Sequence, residues 1–313
     1  MALINDRYFL GPHSPGLDVN QVDATVATVS HRRHRFSLGG RMEIRRLDVG
    51  ELDACVRLAT SRHWHPERHK WGLLFQVGEV YGIDDPAGGL AGVVVLTRFG
   101  TEVTGIGMML VAERYERRGL GTRLMTHVLA EARTASVWLT ATDMGRPLYE
   151  KLGFRVIGRC TAYVGRFEPR PDRTSRLVST EDIPALVGLD TAVFGASRAG
   201  VLARLPAFAD EVRVVDGPDG PVGYGACWSN TGMSVVGPVV AADEDMARSL
   251  IADLAGNVAG NVRLDLDHSR PELLDWALGN GLEQRFSTAV MIHGDELPGD
   301  RKRLFTPVTV AMG

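Results

Sequence analysis

Two stretches of this chain follow one pattern of breaks. "VWLTATDMGRPLYEKLGFRV" (137–156) and "VRLDLDHSRPELLDWALGNGLEQ" (262–284) each read as an apolar strand, a turn, a helix opened by proline and a stop at glycine. Proline suits the first helical position, where its missing N–H would have no partner anyway, and glycine suits the exit, where the chain turns left-handed. A chain that repeats this order is held to two copies of one α/β arrangement. Its 313 residues suffice for two domains of about 150 residues each.

The elements around the repeat can be read in the same way. Residues 1–41 show no sustained periodicity and end in the basic stretch "SHRRHRFSLGG", so they are expected to form a flexible N-terminal extension. From Met42, "MEIRRL" alternates as a strand and "DVGELDACVRLATS" carries apolar residues at helical spacing. "GEVYGI" and "GGLAGVVVLTRFG" read as a hairpin and "TGIGMMLV" as a short apolar strand. "GTRLMTHVLAEAR" has Leu120, Leu124, Met125, Val128, Leu129 and Ala132 on one helical face. This first domain is expected over 42–168, a proline- and charge-rich linker over 169–177 and a second domain over 178–313. The second runs helix, hairpin, strand, helix, strand, helix, strand, in the order of the first.

Composition narrows the function classes. A formal charge of −3 and a pI near 6.3 offer polyanions no global attraction, so nucleic acid is not an expected partner. Cys55, Cys160 and Cys227 lie far apart with no CxxC pair, which fits neither a disulfide framework nor a thiolate zinc site. No apolar run approaches the roughly 20 residues of a membrane span, and the start lacks a basic region followed by an apolar one. A cytoplasmic protein without membrane or metal is the expectation.

The most chemical segment is "RRGLGTRL", Arg117 to Leu124, between an apolar strand and a helix. A helix opening near Gly121 leaves several amides unpaired at its positive end, Arg117 and Arg118 add cations, Thr122 adds a hydroxyl, and Gly119 and Gly121 let an anion approach the backbone. A phosphate or pyrophosphate fits such a loop, and so does a plain turn with solvated arginines. Neither GxxxxGK[ST] nor GxGxxG is present, which weakens mono- and dinucleotide readings.

With these neighbours, "GMMLVAERYERRGLGTRLMTHVLAEA" resembles the central motif of the GNAT acyltransferases, and "PLYEKLGF" is similar to the motif that follows it. The resemblance is strong over Met42 to Phe167, and the remainder looks like the companion domain of bacterial two-domain, or tandem, GNAT proteins. It implies an α/β (α+β) fold in which each domain is a mixed, mostly antiparallel twisted sheet flanked by helices. It also implies an N-acetyltransferase that passes an acetyl group from acetyl-CoA to a primary amine of a small molecule or peptide, by direct attack in a ternary complex. The cofactor site it implies comprises Met109, Leu110, Val111, Glu116, Arg117, Arg118, Gly119, Leu120, Gly121, Thr122 and Tyr149. Tyr149 would be the general acid, and backbone N–H groups around Leu110 and Val111 would face the thioester carbonyl and the pantetheine amides. Glu116 departs from the family pattern, which places Gln or Arg there.

Glu67, Glu102, Glu113, Glu116 and Asp143 are candidates for a general base. "RHWHPERHKWG" (62–72), read as a loop, offers Trp64 and Trp71 as an aromatic wall for the acceptor, with Asp143 as a further contact. His65 and His69 four apart say little about a metal beside Pro66. In the second domain, "AADEDMA" sets Asp243, Glu244 and Asp245 at the position of the phosphate loop and Ala277 opposite Tyr149, so that copy is expected to be silent and to complete a core, an acceptor pocket or a homodimer interface. Two alternatives stand beside the main reading: a mycothiol-synthase-like acetyltransferase and a non-catalytic acyl-CoA sensor.

Overall fold

The computed structural model describes residues 42–168 and 173–312. The expected extension over 1–41 and the first part of the expected linker lie outside the described residues. The first half runs β1 (Ile44–Arg46), α1 (Leu52–Ser61), α2 (Arg68–Val77), β2 (Glu79–Asp84), β3 (Leu90–Phe99), β4 (Val103–Val111), α3 (Leu120–Ala132), β5 (Ser136–Ala141), α4 (Arg146–Lys151) and β6 (Arg155–Gly165). The second runs β7 (Arg176–Leu177), α5 (Ile183–Phe194), α6 (Ala199–Leu202), α7 (Leu205–Phe208), β8 (Glu211–Gly217), β9 (Gly220–Asn230), β10 (Met233–Val240), α8 (Glu244–Ala255), β11 (Val262–Asp267), α9 (Pro271–Gly279), β12 (Leu282–Gly294) and β13 (Leu304–Thr306).

The strands form one sheet in the order β1-β2-β3-β4-β5-β12-β6-β11-β10-β9-β8-β7, with β13 set beside β10. Pairing is antiparallel except between β4 and β5 and between β10 and β11. The middle of the order shows an exchange. β12 of the second half fills the place next to β5, from Ala289↔Ala141 to Gly294↔Ser136. β6 of the first half pairs with β11, from Gly165↔Val262 to Cys160↔Asp267. Each half therefore completes its sheet with a strand from the other.

The helices follow from burial. α3 turns Leu124, Met125 and Val128, all fully buried, onto the sheet with Tyr149 and Phe154 of the α4 region. Removing each such side chain from water stabilises the fold by about 1.5–3 kcal/mol. α8 and α9 cover the second half through Leu250, Ile251, Leu254 and Leu273. The other face carries one cluster common to both halves: Leu58, Trp71, Leu74 and Val95 pack in a core that also holds Phe194, Leu202, Tyr224 and Trp228. His69 of α2 stacks on Phe208 of α7 with centroids 4.3 Å apart.

Two expectations need correction. "ERHKWGLLFQV" is largely helical, not a loop, since α2 starts two residues after Pro66. The later part of the expected linker is tied down: the amides of Thr174 and Ser175 donate to Asp253 at 3.1 and 3.0 Å, and Arg176–Leu177 pairs with β8.

Candidate active site

The sheet divides in the first half. β4 and β5 pair in parallel from Val103↔Ser136 to Ile106↔Leu139 and then part, while β4 stays on β3 as far as Val111 and β5 stays on β12 as far as Ala141. A bulge sits on the β4 side of this fork. Val95 pairs with Gly107 and Val93 with Leu110, so Met108 and Met109 share the one facing residue Val94, and Met108 has φ 50°. Left-handed backbone at a bulky residue is held only where its surroundings impose it, often at functional sites.

The register also fixes which peptide groups are free. The Ala112 N–H donates to the Ala91 carbonyl at 2.9 Å. Alternation along an antiparallel ladder then turns Leu110 toward Val93 and Val111 toward the open fork. Of the two N–H groups expected to face the thioester, that of Leu110 is thus turned to β3 and that of Val111 to the fork.

Beyond Val111, a 3-10 turn (Glu113–Tyr115) leads to the glycine loop. Arg117 and Gly119 both take positive φ, 57° and 80°, and α3 starts from Gly119 with no side-chain cap. The first backbone bond into the helix is Arg123 N–H to the Gly119 carbonyl at 3.0 Å. Among the described residues the amides of Leu120, Gly121 and Thr122 have no backbone acceptor, so the positive end of the helix dipole is open to an anion. Arg117 and Arg118 are exposed and form no ion pair among the described residues, while Arg118 lies over the Tyr115 ring at 5.8 Å. Glu116 is paired with Arg62 at the end of α1, which offsets its charge and ties the loop to the other face of the sheet.

Gly121 lies against α4 and the fork. A Cβ there would stand 3.3 Å from Leu148, 3.6 Å from Met109 and 3.8 Å from Val111. One helical position on, Tyr149 is 7% exposed and its hydroxyl makes no hydrogen bond among the described residues. Burial pushes its phenol up to about 12.

The other predicted residues are scattered. Trp71 is fully buried in the shared core, so it cannot form a wall open to an acceptor; Trp64 packs half-buried at the edge of that core. Asp143 is exposed in the turn after β5. Among the base candidates, Glu67 is occupied by Lys70 and by Asn230 Nδ2 at 2.7 Å; burial raises its pKa, but these partners outweigh it and hold it below the usual range. Glu102 bonds to Thr101, and Glu113 is exposed. His65 and His69 flank Pro66 and the start of α2, and no metal-holding group of three His, Cys, Asp or Glu side chains occurs among the described residues.

The second half has the matching fork, but its own chain fills it. β10 and β11 pair only at Ser234↔Val262 and Val235↔Arg263, and β13 then lies on β10 at Val239↔Thr306 and Val240↔Leu304. Asp243 caps α8, accepting from the Met246 amide at 2.9 Å. After β13 the chain crosses to the first fork, where Thr140 Oγ1 donates to the Val310 carbonyl at 2.8 Å. Sequence reasoning missed this crossing, although the apolar run "LFTPVTVAM" marks a buried segment.

Sequence models of the acetyltransferase (GNAT) domain match twice, over residues 76–156 and 186–306. The chain is 26% identical over 279 residues to an uncharacterised N-acetyltransferase, YitH, of Bacillus subtilis strain 168, covering 87% of this chain and 98% of that protein. In fold it is similar to a presumptive acetyltransferase of Pyrococcus horikoshii, with TM-score 0.73, 20% identity and coverage of 90% of this chain and all of that one. A tandem GNAT protein from the clavulanic acid biosynthesis pathway gives TM-score 0.56 at 15% identity, over 80% of this chain and 98% of that one. With two GNAT domains joined through a shared sheet, the chain belongs to the GNAT acetyltransferases and is a two-domain member of that family.

Proposed function

We propose that this acetyltransferase uses acetyl-CoA to acetylate a primary amine of a small molecule or peptide by direct attack in a ternary complex, and that residues 42–168 carry the catalytic site while 178–313 form a degenerate partner. The observation that carries the reading is the parting of β4 from β5 beside the uncapped start of α3. The amides of Leu120 to Thr122, with Arg117 and Arg118, suit a pyrophosphate. Backbone groups of Met109 and Val111 suit the amides and thioester carbonyl of an extended acyl-pantetheine chain lying in the fork.

In the reaction, the lone pair of a neutral amine attacks the thioester carbonyl carbon. N–H groups on the β4 edge stabilise the oxyanion that forms. When the C–S bond breaks, the Tyr149 hydroxyl gives its proton to the thiolate, and the amide nitrogen loses its extra proton to solvent. A phenol held protonated by burial suits that role at neutral pH. Of the base candidates, Glu67, Glu102 and Glu116 are already engaged, while Glu113 and Asp143 are exposed just beyond the ends of β4 and β5. An amine of pKa near 8 deprotonates readily in water without them, whereas one near 10.4 would need such a base.

Release of free thiol from acetyl-CoA in the presence of a panel of primary amines tests the reading. Amine-dependent release that falls with Tyr149→Phe supports it. Tight acetyl-CoA binding with no amine-dependent release across the panel favours a sensor.

A further inference from the structure

The last pair between β4 and β5 is Ile106↔Leu139, and the second half touches the next residue on each arm. On β4 that residue is Gly107, where a Cβ would run into the backbone of Ala311. On β5 it is Thr140, whose Oγ1 donates to the Val310 carbonyl at 2.8 Å. Residues 307–312 thus sit at the point where the arms separate. They are held there by burial, since Val308, Ala311 and Met312 lie with Met108 and Leu110 of β4 in the core shared by the two halves.

The hydrogen bonds of this segment show how it sits. The Val308 carbonyl accepts from Trp228 Nε1 at 3.2 Å. The Ala311 amide donates to Thr309 Oγ1 at 2.9 Å and the Met312 amide to the Thr309 carbonyl at 3.0 Å, so Thr309, itself buried, closes the turn that carries Ala311 to Gly107. Among the described residues, no backbone bond joins 307–312 to β4 or β5. The segment braces the arms by contact and by one hydroxyl, and leaves their peptide edges unused.

The second fork shows the alternative. There β13 takes the edge of β10 at Val239↔Thr306 and Val240↔Leu304, and a Cβ on Gly237 would meet the Pro307 carbonyl. One continuous stretch of chain therefore fills the strand edge in the second fork and only lies across the first. Unpaired strand edges side by side are templates for pairing, so arms with free edges need something to keep them apart.

We infer that residues 307–312 are a strut that sets the gap between β4 and β5 for the acyl-pantetheine arm, with Thr140 and Thr309 as its positioning residues. Thr140 fixes the strut to β5, and Thr309 shapes the turn that bears on β4. The glycine loop begins beyond Val111, four residues or about 10–13 Å along β4 from Gly107, so the strut acts on the arm of the ligand and not on its phosphates. This deepens the acetyl-CoA reading above and rests on it.

The test is calorimetric titration of the full chain with two ligands: acetyl-CoA, and 3′-phosphoadenosine 5′-diphosphate, the part of coenzyme A that lacks the pantetheine arm. Thr140→Val keeps the shape and removes the donor. It should weaken acetyl-CoA binding about three- to tenfold, the range for one neutral hydrogen bond, and leave the nucleotide within about twofold. Thr309→Val, whose hydroxyl is bonded within the strut, should have the same selective effect, and Thr140→Ser and Thr309→Ser should restore wild-type binding. Wild-type affinity for acetyl-CoA in either valine variant, equal losses for the two ligands, or no rescue by serine would overturn the inference. Failure of the wild type to bind either ligand would overturn the acetyl-CoA reading itself, and is seen separately.

Discussion

The carbonyl oxygen of Ala311 lies 2.3 Å from the position a Cβ on Gly107 would take, so the last described residues of the second half press on the bulged strand of the first. Gly107→Ala cannot be accommodated by a side-chain rotation, because the obstacle is backbone. The substitution should destabilise the protein by about 1–3 kcal/mol. It should also lower both amine turnover and acetyl-CoA affinity, since the displaced segment lies against both arms of the proposed acetyl-CoA fork. Thermal unfolding and separate fits of the two constants check this.

Tyr149→Phe should leave the dissociation constant for acetyl-CoA nearly unchanged and lower kcat by about 100-fold or more, the range for loss of a general acid. Because the phenol is raised from 10 to about 12 in the fold, it favours the folded state below pH 10, and that contribution is lost as pH rises through about 12. Wild type should therefore lose stability between those values more steeply than the phenylalanine variant. Pulse proteolysis or denaturant midpoints across that range would show it.

The pair between Arg62 and Glu116 makes an opposite pair of predictions for the cofactor. Arg62→Ala leaves a carboxylate uncompensated beside the glycine loop and should weaken acetyl-CoA binding. Glu116→Gln removes the carboxylate and should strengthen it. Both effects should be about two- to fivefold, because Glu116 is partly exposed and solvent screens the charge. Added salt should shrink both.

The strand exchange predicts that neither half folds by itself. Residues 42–168 made alone would leave β5 and β6 without β12 and β6 without β11, and three central ladders would be lost. That fragment should show no cooperative thermal transition, and mixing it with residues 173–313 during refolding should restore one. A fragment that melted cooperatively and bound acetyl-CoA would contradict the exchange.

A buried ion pair anchors the second half. Arg198 Nε donates to Asp190 at 2.9 Å, and the Tyr224 hydroxyl donates to the same carboxylate at 2.5 Å, all three side chains being withdrawn from water. Asp190→Asn would leave the guanidinium uncompensated and should cost about 3–5 kcal/mol. Differential scanning calorimetry gives the figure directly.

Much of this was legible from residue order. The helical face of α3, the proline and glycine limits of α4 and α9 and the acid-for-arginine swap at Asp243 are local signals, and local signals survive in a single sequence. The glycine loop before α3 was visible for the same reason. What sequence could not show was set by long-range pairing. Periodicity marks β6 and β12 as strands but says nothing of which neighbour each one takes, so the halves read as separable. The same limit hid Ala311 against Gly107 and gave Trp71 an open wall, although α2 turns it into the core. Which of Leu110 and Val111 faces the fork depends on ladder register, which only the partner strand fixes.

The central claim is that one fork, and not its duplicate, receives acetyl-CoA. Calorimetric titration of the full chain with acetyl-CoA tests it without knowledge of the acceptor. The account predicts one site per chain, weakened by Arg118→Ala. Two sites per chain, or no binding at all, would contradict it.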